Sequence, residues 1–488
     1  MSSTQHITYP RCNGLYYGGR WHPPLKGKQT GVFSPATGEH LTTIAEGSAE
    51  DAAAAVAAAR AGFNVWRDVP PLQRAKLLRE MARIMRANDR ELGLLDAIDC
   101  GSPISEIKFD VELAAMMLEY FAGLVTEMKG TSIPLGPDAV TYSVREPYGV
   151  VVRLIPYNHP FLFSIGKAAS ILAAGNAIIV KPPEQAPLSA LRAAELLGDI
   201  LPPGVLNVLP GGRDLGAALV AHPDVAMVAL IGSAPTGKAV MRSGADSLKR
   251  VILELGGKNA LIAFPDTAPD KIAQASVAGM NFGWCGQSCG STSRAFLHAD
   301  IYDAVIERLP THLNEFRPGL PTDPKTTMGS LIDRAQLDRV YGLIASAKAE
   351  GARLVYGGKA PQDEALKNGC YLEPTVFADV TMNMRIAREE VFGPVLSILR
   401  WQDETDMLKQ VNQVEYGLTC AVWTRDVAKA HRIVSRVEAG YCWINDIAKH
   451  SLGSPFGGYK QSGIGREECL AELLTFTQEK NIYINLSN

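Results

Sequence analysis

The sequence predicts an α/β fold in which parallel β-strands alternate with helices. Short apolar runs recur along the first half of the chain, and Gly or Pro residues bound each of them. Helical patterns lie between several of these runs, which is the rhythm of buried parallel strands with crossover helices. At 488 residues the chain is too long for one core, so we expect two or three domains. The mixed pattern repeats from about residue 256 to 445, which predicts a second α/β domain.

The first elements of the chain are predicted to be helices. Ser48 can cap a helix over residues 48–66, with Asp51 at its third position and alanine-rich sequence after it. Apolar positions at helical spacing predict further helices over residues 70–99 and 105–128. We expect no chemistry from this helical region.

The elements that follow are strands. The alternating run Val140–Val144 indicates an edge strand. The alternating tail Asn481–Leu486 indicates a terminal strand whose apolar face needs a partner, such as a neighbouring subunit. Between them lie the apolar runs of a doubly wound sheet. These runs are Val150–Ile155, Ala177–Val180, Leu206–Leu209, Met227–Ile231 and Val251–Leu253.

The composition argues against nucleic-acid and membrane proteins. The formal net charge is only −3, and no run of 18 apolar residues occurs. The eight cysteines show no paired framework, which favours a reducing compartment. The polar segment Met1–Asn13 lacks the pattern of a signal peptide. We therefore expect a cytoplasmic protein that binds neither nucleic acid nor membranes.

Two segments could supply a nucleophile and a base. In Gly286-Gln-Ser-Cys289-Gly290, small neighbours would expose the Cys289 sulfur, and a thiolate is a strong nucleophile. Most lone cysteines are structural apolar residues, so this segment alone is weak. Glu254 ends an apolar strand before a Gly-Gly turn, where open α/β sheets place active sites. It could be a general base, or it could be a capping or ion-paired residue.

Two further segments follow predicted strands. Asn158, between Pro156 and Pro160, could donate a hydrogen bond to an oxyanion, or it could be an ordinary turn residue. Lys181 and Glu184 could bind the hydroxyls of a sugar, or they could form a surface ion pair.

Two other patterns are weaker. Gly232–Lys238 fits most of a phosphate-binding P-loop, but Ala239 stands where the magnesium-binding Ser or Thr is required. Cys285 lies four residues before Cys289, yet no second ligand pair with metal spacing lies nearby. We therefore predict no metal site and a bystander role for Cys285, with a disulfide to Cys289 as the lesser alternative.

Together these segments resemble the aldehyde dehydrogenase superfamily. Three more segments add to the resemblance: Gly232-Ser233, Glu390-Val-Phe392-Gly-Pro394, and Pro455-Phe-Gly-Gly-Tyr-Lys460 with Ser462-Gly463. The resemblance covers nearly the whole chain and implies two doubly wound α/β domains plus a small β extension for oligomerisation. The implied ranges are 1–130 and 150–255 for an NAD-binding domain, 256–445 for a catalytic domain, 131–149 and 478–488 for oligomerisation strands, and 446–477 for a return to the NAD-binding domain.

The resemblance implies oxidation of an aldehyde to its carboxylic acid. Cys289 would attack the aldehyde carbon, while the Asn158 amide and the Cys289 backbone N–H hold the oxyanion. Loss of hydride to the nicotinamide would leave a thioester, and Glu254 would activate the water that hydrolyses it. Lys167 would help to relay protons.

The resemblance also implies that the cofactor is NAD. Lys181 and Glu184 would hold the adenosine ribose, and the Glu184 carboxylate would repel a 2′-phosphate. Gly232 and Ser233 would contact the pyrophosphate at a helix N-terminus. The remaining cofactor residues would be Pro156, Leu255, Glu390 at the nicotinamide ribose, and Phe392 near the nicotinamide.

The expected substrate pocket departs from relatives that line it with aromatic rings. His159 and Gly166 stand where bulky rings are common, and Lys449 and His450 stand where apolar or aromatic groups are common. We therefore expect a wider, more polar pocket with positive charge, which would favour polar, carboxylate-bearing or bulky aromatic aldehydes over small alkyl ones. Alternatively, the Lys449 side chain points to solvent and adds no charge to the pocket. The other expected pocket residues are Leu162, Ser288 and Phe456.

Two functions are alternatives to aldehyde oxidation with hydrolysis of the thioester. A CoA-acylating relative would pass the thioester to CoA and needs no base, so the presence of Glu254 favours hydrolysis. A catalytically silent binding protein on the same fold would not need Cys289, Glu254, Asn158 and Lys181 together. We expect a small-molecule aldehyde as substrate and a homodimer or homotetramer as the assembly, and the sequence does not name the aldehyde.

Overall fold

The computed structural model describes residues 7–487. Met1–His6, which belong to the segment examined for a signal peptide, lie outside the described residues, as does Asn488 at the end of the predicted oligomerisation strand. Two large sheets and one small sheet organise the chain. Among residues 7–487, no helix combines the length and the apolar character needed to cross a membrane.

The first large sheet has eight strands, and its middle five are parallel. The strand at Val150–Leu154 lies at the centre, and later strands add first on one side of it and then on the other. That order is the doubly wound one, and the predicted apolar runs form its parallel strands. In spatial order the strands are Arg20–His22, Leu15–Tyr17, Leu206–Val208, Ala177–Lys181, Val150–Leu154, Val225–Ile231, Arg250–Glu254 and Gly463–Ile464.

Helices accompany this sheet. The predicted cap is confirmed, because the Ser48 hydroxyl accepts a hydrogen bond from the Asp51 N–H while the Asp51 carboxylate accepts one from the Ser48 N–H. The helices are Ala49–Trp66, Pro71–Ala87, Asp89–Cys100, Ile104–Gly123, Pro160–Ile165, Ala169–Ala173, Leu188–Leu197, Arg213–Ala221, Ala234–Ala245 and Leu470–Thr475, with a 3-10 turn at Gly166–Ala168.

The helix predicted over residues 70–99 is broken at Asn88. The backbone dihedral angles of Asn88 are not helical, and the Asn88 side-chain amide donates a hydrogen bond of 2.8 Å to the Ile84 carbonyl. Asn side chains compete with backbone donors in this way, which is why the break occurs there. The helix predicted over 105–128 begins at Ile104 and ends at Gly123.

The second large sheet has seven strands, of which all but the first are parallel to their neighbours. In spatial order they are Arg353–Tyr356, Thr375–Ala378, Val395–Trp401, Arg294–His298, Ala260–Ala263, Thr419–Trp423 and Tyr441–Ile444. The helices of this region are Pro269–Ala278, Ala299–Leu313, Arg334–Ala349, Arg385–Arg388, Glu404–Asn412 and Val427–Val434, with 3-10 turns at Phe282–Trp284 and Glu364–Leu366. The change from one large sheet to the other lies between Glu254 and Ala260, and the domain boundaries stay a prediction.

The small sheet joins the end of the chain to its middle. Thr477–Asn485 pairs antiparallel with Ala139–Pro147, which pairs in turn with Ser132–Pro134. The prediction of an edge strand near Val140 is therefore wrong, because neighbours lie on both sides of it. Its alternation reflects two partly exposed faces rather than a missing neighbour. Two short ladders complete the fold, Gln29–Phe33 with His40–Ala45 and Tyr416–Gly417 with Tyr459–Lys460.

Candidate active site

Two cavities meet beyond the carboxyl ends of the parallel strands in the first sheet. One has a volume of about 850 Å³ and the other about 560 Å³. Asn158, Ile231, Glu254 and Cys289 line both of them. Three residues predicted to carry the chemistry thus stand together at the junction of a larger and a smaller cavity.

The loop that carries Cys289 is held tightly. Gly286 has a positive φ of 66°, and a Cβ there would lie 2.3 Å from the backbone oxygen of Gly393, so only glycine fits. The Asn259 side-chain amide donates hydrogen bonds to the carbonyls of Cys289 at 2.7 Å and Ser291 at 3.0 Å. These contacts hold the backbone of Cys289 beside the start of the strand Ala260–Ala263 in the second large sheet.

The surroundings of the Cys289 side chain favour the protonated thiol over the thiolate. Burial, followed by the negative charges of Glu254 and Glu390, raises its pKa to about 12. A cation placed beside the sulfur would oppose these effects and favour the thiolate. The nucleophile therefore needs a positively charged neighbour or a base before it can react.

Glu254 is a buried carboxyl group without an internal partner. Neither of its side-chain oxygens has a hydrogen-bond partner among the described residues. Burial, followed by the charge of Glu467, holds its pKa well above the ordinary value. Since it ends the strand Arg250–Glu254 and lines both cavities, its carboxyl group is available to a water or a substrate.

A buried charge cluster lies behind Glu254. The Lys167 amine is 2.9 Å from the Glu467 carboxylate and 3.2 Å from the Glu468 carboxylate. The Arg153 guanidinium, fully buried in the central strand, is 2.9 Å from Glu467. Burial opposes the Lys167 charge, but the nearby carboxylates outweigh burial and raise the pKa of Lys167. Lys167 is therefore an ion-paired cation rather than a neutral amine.

Sequence reasoning missed Arg153 and Glu467. A charged residue inside an otherwise apolar strand such as Val150–Leu154 was the available signal, because a buried charge requires a partner. That partner, Glu467, lies more than 300 residues further along the chain, so spacing could not identify it.

The larger cavity brings together most of the residues predicted for the cofactor. Ser233 begins the helix Ala234–Ala245, and its hydroxyl accepts a hydrogen bond from the Thr236 N–H. The exposed start of that helix carries the positive end of the helix dipole, which suits an anion. The predicted residues that line the cavity are Pro156, Gly232, Ser233, Leu255, Glu390 and Phe392.

Glu390 is also held in place at this cavity. Its carboxylate accepts a hydrogen bond of 2.9 Å from the Gly257 N–H, and burial raises its pKa to about 7. The Phe392 ring packs edge-on against Tyr157 with centroids 5.8 Å apart. A carboxyl group and a ring thus stand side by side near Cys289.

Lys181 and Glu184 do not line the larger cavity. The Lys181 amine donates a hydrogen bond of 3.2 Å to the Pro182 carbonyl, and burial lowers the pKa of Lys181. Glu184 is exposed and lines a separate cavity of about 440 Å³, beside Gly211 and Gly212. Lys181 ends the strand Ala177–Lys181 and Glu184 follows it, at the same edge of the sheet as Asn158.

The helix Ile104–Gly123 forms one wall of the smaller cavity, although no chemistry was expected from this helical region. Glu106, Asp110, Leu113 and Met117 lie on one face of it and line the cavity. The carboxylates at two core-facing positions were the available signal. The structure adds Asp110 and Glu106 to the candidate site.

His159 links this helix to the cavity. Its Nδ1 is 2.7 Å from the Asp110 carboxylate, and its ring meets Phe163 and Trp284 edge-on at 5.3 and 5.1 Å. Burial disfavours its charge, but the charge and hydrogen bond of Asp110 raise the pKa of His159 overall. Trp284, five residues before Cys289, was not singled out from the sequence.

Two residues predicted for the substrate pocket do not line the smaller cavity. The Lys449 amine is 2.6 Å from Asp446, and its side chain is 74% exposed, so the alternative of a solvated lysine is the correct one. A Cβ on Gly166 would lie 3.0 Å from the Ala114 Cα, so this glycine lets two helices approach rather than widening the cavity. The predicted residues that do line the cavity are His159, Leu162, Ser288, His450 and Phe456.

The smaller cavity is consequently more aromatic and less positive than expected. Five aromatic side chains line it, which are Phe109, Phe163, Trp284, Trp443 and Phe456. His450 stacks on Tyr441 with centroids 5.5 Å apart and lies 3.4 Å from Glu468. The expectation of a polar pocket with added positive charge is wrong in this respect, because Lys449 points to solvent.

Cys285 packs in the apolar core of the second large sheet. Burial raises its pKa, and all eight cysteines are free thiols. Over residues 7–487, no cluster of three or more His, Cys, Asp or Glu side chains is arranged to hold a metal ion.

Known proteins resemble this chain over nearly its whole length. Residues 21–482 match the aldehyde dehydrogenase family. The aldehyde dehydrogenase tropH of Talaromyces stipitatus is 49% identical over 485 residues, covering 98% of this chain and 94% of that protein. The NAD⁺ complex of aldehyde dehydrogenase from Bacillus cereus is 36% identical with a TM-score of 0.94, covering 98% and 97% of the two chains. PnpE from Pseudomonas sp. WBC-3, solved with nicotinamide adenine dinucleotide, is 38% identical with a TM-score of 0.95, covering 98% of both chains.

Proposed function

The chain belongs to the aldehyde dehydrogenase family, and from that premise we propose that it oxidises an aldehyde to the carboxylic acid with NAD, through a thioester on Cys289. One observation carries the proposal: Cys289, Glu254 and Asn158 line both the larger and the smaller cavity. A nucleophile, a base and an amide at such a junction can act on a substrate in one cavity beside a cofactor in the other.

The larger cavity fits NAD by its chemistry. The start of the helix Ala234–Ala245, with Ser233, would hold the pyrophosphate, and the Glu390 carboxylate would accept hydrogen bonds from a ribose. Lys181 and Glu184 would hold the second ribose at the neighbouring edge of the sheet. When bound, NAD accepts the hydride released from the substrate carbon. Its oxidised nicotinamide is also a cation of the kind that the Cys289 thiol lacks.

Cys289 and Asn158 carry the first half of the reaction. As a thiolate, Cys289 forms a bond to the aldehyde carbon, and the carbonyl oxygen becomes an oxyanion. The Asn158 amide and the Cys289 backbone N–H donate hydrogen bonds to that oxyanion. Removal of one such donor in other enzymes costs about 10²–10³-fold in rate.

Glu254 carries the second half. Once ionised, it takes a proton from the water that attacks the thioester carbonyl, and the acid and the Cys289 thiol are released. Its two oxygens have no internal partners among residues 7–487, which favours a reactive over a structural carboxyl group. Hydrolysis, rather than transfer to CoA, is therefore the fate that we propose for the thioester.

The test is the formation of NADH with a broad panel of aldehydes, with and without CoA. We expect NADH formation that needs no CoA and a carboxylic acid as product. The Cys289→Ala variant should lose turnover while retaining NAD binding, and Cys285→Ala is the matched control that should retain turnover. NADH formation that requires CoA, or that survives Cys289→Ala, would contradict the proposal.

A further inference from the structure

We propose that His159, held by Asp110, selects aromatic aldehydes that carry a hydroxyl group. This inference rests on the proposed function and names the class of substrate for the same site. It depends on three features of the smaller cavity: its aromatic walls, the one ring nitrogen of His159 that Asp110 leaves unpaired, and the charge balance of the surrounding side chains.

The walls of the smaller cavity suit a flat ring. Phe163 and Trp284 flank His159, and Phe109, Trp443 and Phe456 line the same space of about 560 Å³. Aromatic rings prefer offset or edge-on contacts with other rings, as these side chains offer. A small alkyl aldehyde would leave most of this apolar surface uncovered, whereas an aromatic aldehyde would cover it.

His159 supplies a polar atom within that aromatic wall. Its Nδ1 is engaged by Asp110 at 2.7 Å, and its side chain is only 13% exposed. Edge-on contacts with Phe163 and Trp284 fix the ring plane. Nε2 is the ring nitrogen that remains, and no hydrogen bond joins it to another described residue. Since His159 lines the cavity, a bound substrate can supply a partner for this nitrogen.

The hydrogen-bond chemistry of His159 selects a hydroxyl group. When the ring is neutral, Nδ1–H donates to the Asp110 carboxylate and Nε2 is an acceptor. When the ring is protonated, Nε2–H is a donor. A hydroxyl group can donate a hydrogen bond to the neutral ring and accept one from the protonated ring. A methoxy oxygen can only accept a hydrogen bond, and an unsubstituted ring position can neither donate nor accept one.

The charge balance disfavours a carboxylate on the substrate, which corrects the expectation drawn from Lys449. Asp110 is paired with His159, and Glu468 is paired with Lys167. Glu106, one helical turn before Asp110, has no ion-pair partner among residues 7–487. The cationic side chains among the described residues that line the cavity are already ion-paired, so a substrate carboxylate would lose its hydration without gaining a free partner, whereas a neutral hydroxyl group loses less.

A cationic aldehyde is the competing substrate class, since Glu106 could attract it. Glu106 is half-buried, and burial with the charge of Asp110 raises its pKa, which disfavours its charged form. Asp110 and Glu468 are already paired with His159 and Lys167, so they offer a cation little further attraction. These two effects favour the hydroxyl-bearing aromatic aldehyde.

The test compares kcat/KM for benzaldehyde, its three hydroxy and three methoxy derivatives, 4-carboxybenzaldehyde and 3-aminopropanal. We expect one hydroxybenzaldehyde isomer to exceed benzaldehyde at least tenfold, its methoxy analogue to lose that gain, and the carboxylate and the amine to be poor substrates. The ratio of hydroxybenzaldehyde to benzaldehyde should fall to about one in His159→Phe and decrease in Asp110→Asn. Because both substrates are measured on one preparation, the ratio does not depend on how much of a variant folds.

His450→Phe is the matched control, since it removes the other histidine of the same cavity, and its ratio should stay that of the parent protein. Oxidation without preference for any hydroxyl isomer, a preference for 3-aminopropanal, or a ratio that falls in His450→Phe but not in His159→Phe would overturn this inference alone. If no aldehyde is oxidised, the proposed function falls as well.

Discussion

At the scale of single residues, Arg153 controls the charge next to the base. Its guanidinium lies in the centre of the first sheet and meets the Glu467 carboxylate, and Glu467 in turn raises the pKa of Glu254. Among the charges acting on Glu254, that of Arg153 favours the ionised form. Arg153 is thus a positioning residue that acts on Glu254 through charge rather than contact.

We predict that Arg153→Gln moves the pH dependence of thioester hydrolysis to higher pH. The base must be ionised, so the rate rises with pH through the pKa of Glu254, and loss of a positive charge raises that pKa further. Lys167 stays 2.9 Å from Glu467 and keeps this carboxylate charged. The measurement is the decay rate of the acyl-enzyme as a function of pH.

Arg153→Lys retains the charge and is the matched control for this experiment. Its profile should lie close to that of the parent protein. An unchanged profile in Arg153→Gln, or a shift to lower pH, would show that Arg153 serves only the packing of the sheet.

The candidate site was predictable where its residues stand in short motifs. Glu254 ends a strand before a Gly-Gly turn, Asn158 follows a strand and Cys289 stands in a glycine-bounded segment, and the structure places all three at one junction. The pairing of Asp110 with His159 was not predictable, because 49 residues of sequence separate the two. Contacts between distant segments depend on how helices pack, which periodicity within one segment does not specify.

At the scale of elements, the packing of the helix Ile104–Gly123 on the turn at Gly166 sets the shape of the smaller cavity. A Cβ on Gly166 would lie 3.0 Å from the Ala114 Cα and 3.1 Å from the Leu162 side chain. The backbone of the helix cannot yield by a rotamer change. Glycine at 166 therefore serves the contact between two elements.

We predict that Gly166→Ala destabilises the protein by about 1–3 kcal/mol, the usual cost of overpacking. Gly123→Ala is the matched control, since nothing lies within 4 Å of a Cβ there and alanine favours a helix by up to about 1 kcal/mol. The measurement is the melting temperature of both variants in thermal unfolding. Equal melting temperatures for the two variants would contradict the packing argument.

Elements were predictable to the extent that their patterns are local. The apolar runs with flanking glycines and prolines became the parallel strands of the first sheet, and the Ser48 capping box began its helix. The break at Asn88 and the central position of Ala139–Pro147 were not predictable. The break depends on the hydrogen bond that the Asn88 side chain forms. The central position of Ala139–Pro147 depends on strands from distant parts of the chain.

At the scale of the whole molecule, the small sheet has a face that one chain does not cover. Ile133, Thr141 and Tyr483 are directly opposite one another on adjacent strands and so share a face. Ile133 is 53% and Tyr483 61% exposed. Exposed apolar side chains on one face of this sheet favour contact with a second copy of the chain.

We predict a homo-oligomer that the double variant Ile133→Lys, Tyr483→Lys dissociates, because the introduced charges would have to be buried at the contact. Light scattering coupled to size-exclusion chromatography measures the mass. Leu72→Lys is the matched control, since Leu72 is 70% exposed on a helix outside the sheet. A monomeric parent protein, or an unchanged mass in the double variant, would contradict this prediction.

Glu254 hydrolyses a thioester on Cys289 in the proposed reaction, and the variant Glu254→Gln is the sharpest test of that step. With NAD and an aldehyde, we expect one NADH per active site in a rapid burst, followed by turnover that is lower by about 10²–10⁴-fold. Mass spectrometry of the quenched protein should then find the peptide with Cys289 heavier by the mass of the aldehyde less two hydrogen atoms. Undiminished turnover of Glu254→Gln would contradict the role of Glu254 as the base. An adduct on Cys285 in place of Cys289 would contradict the role of Cys289 as the nucleophile.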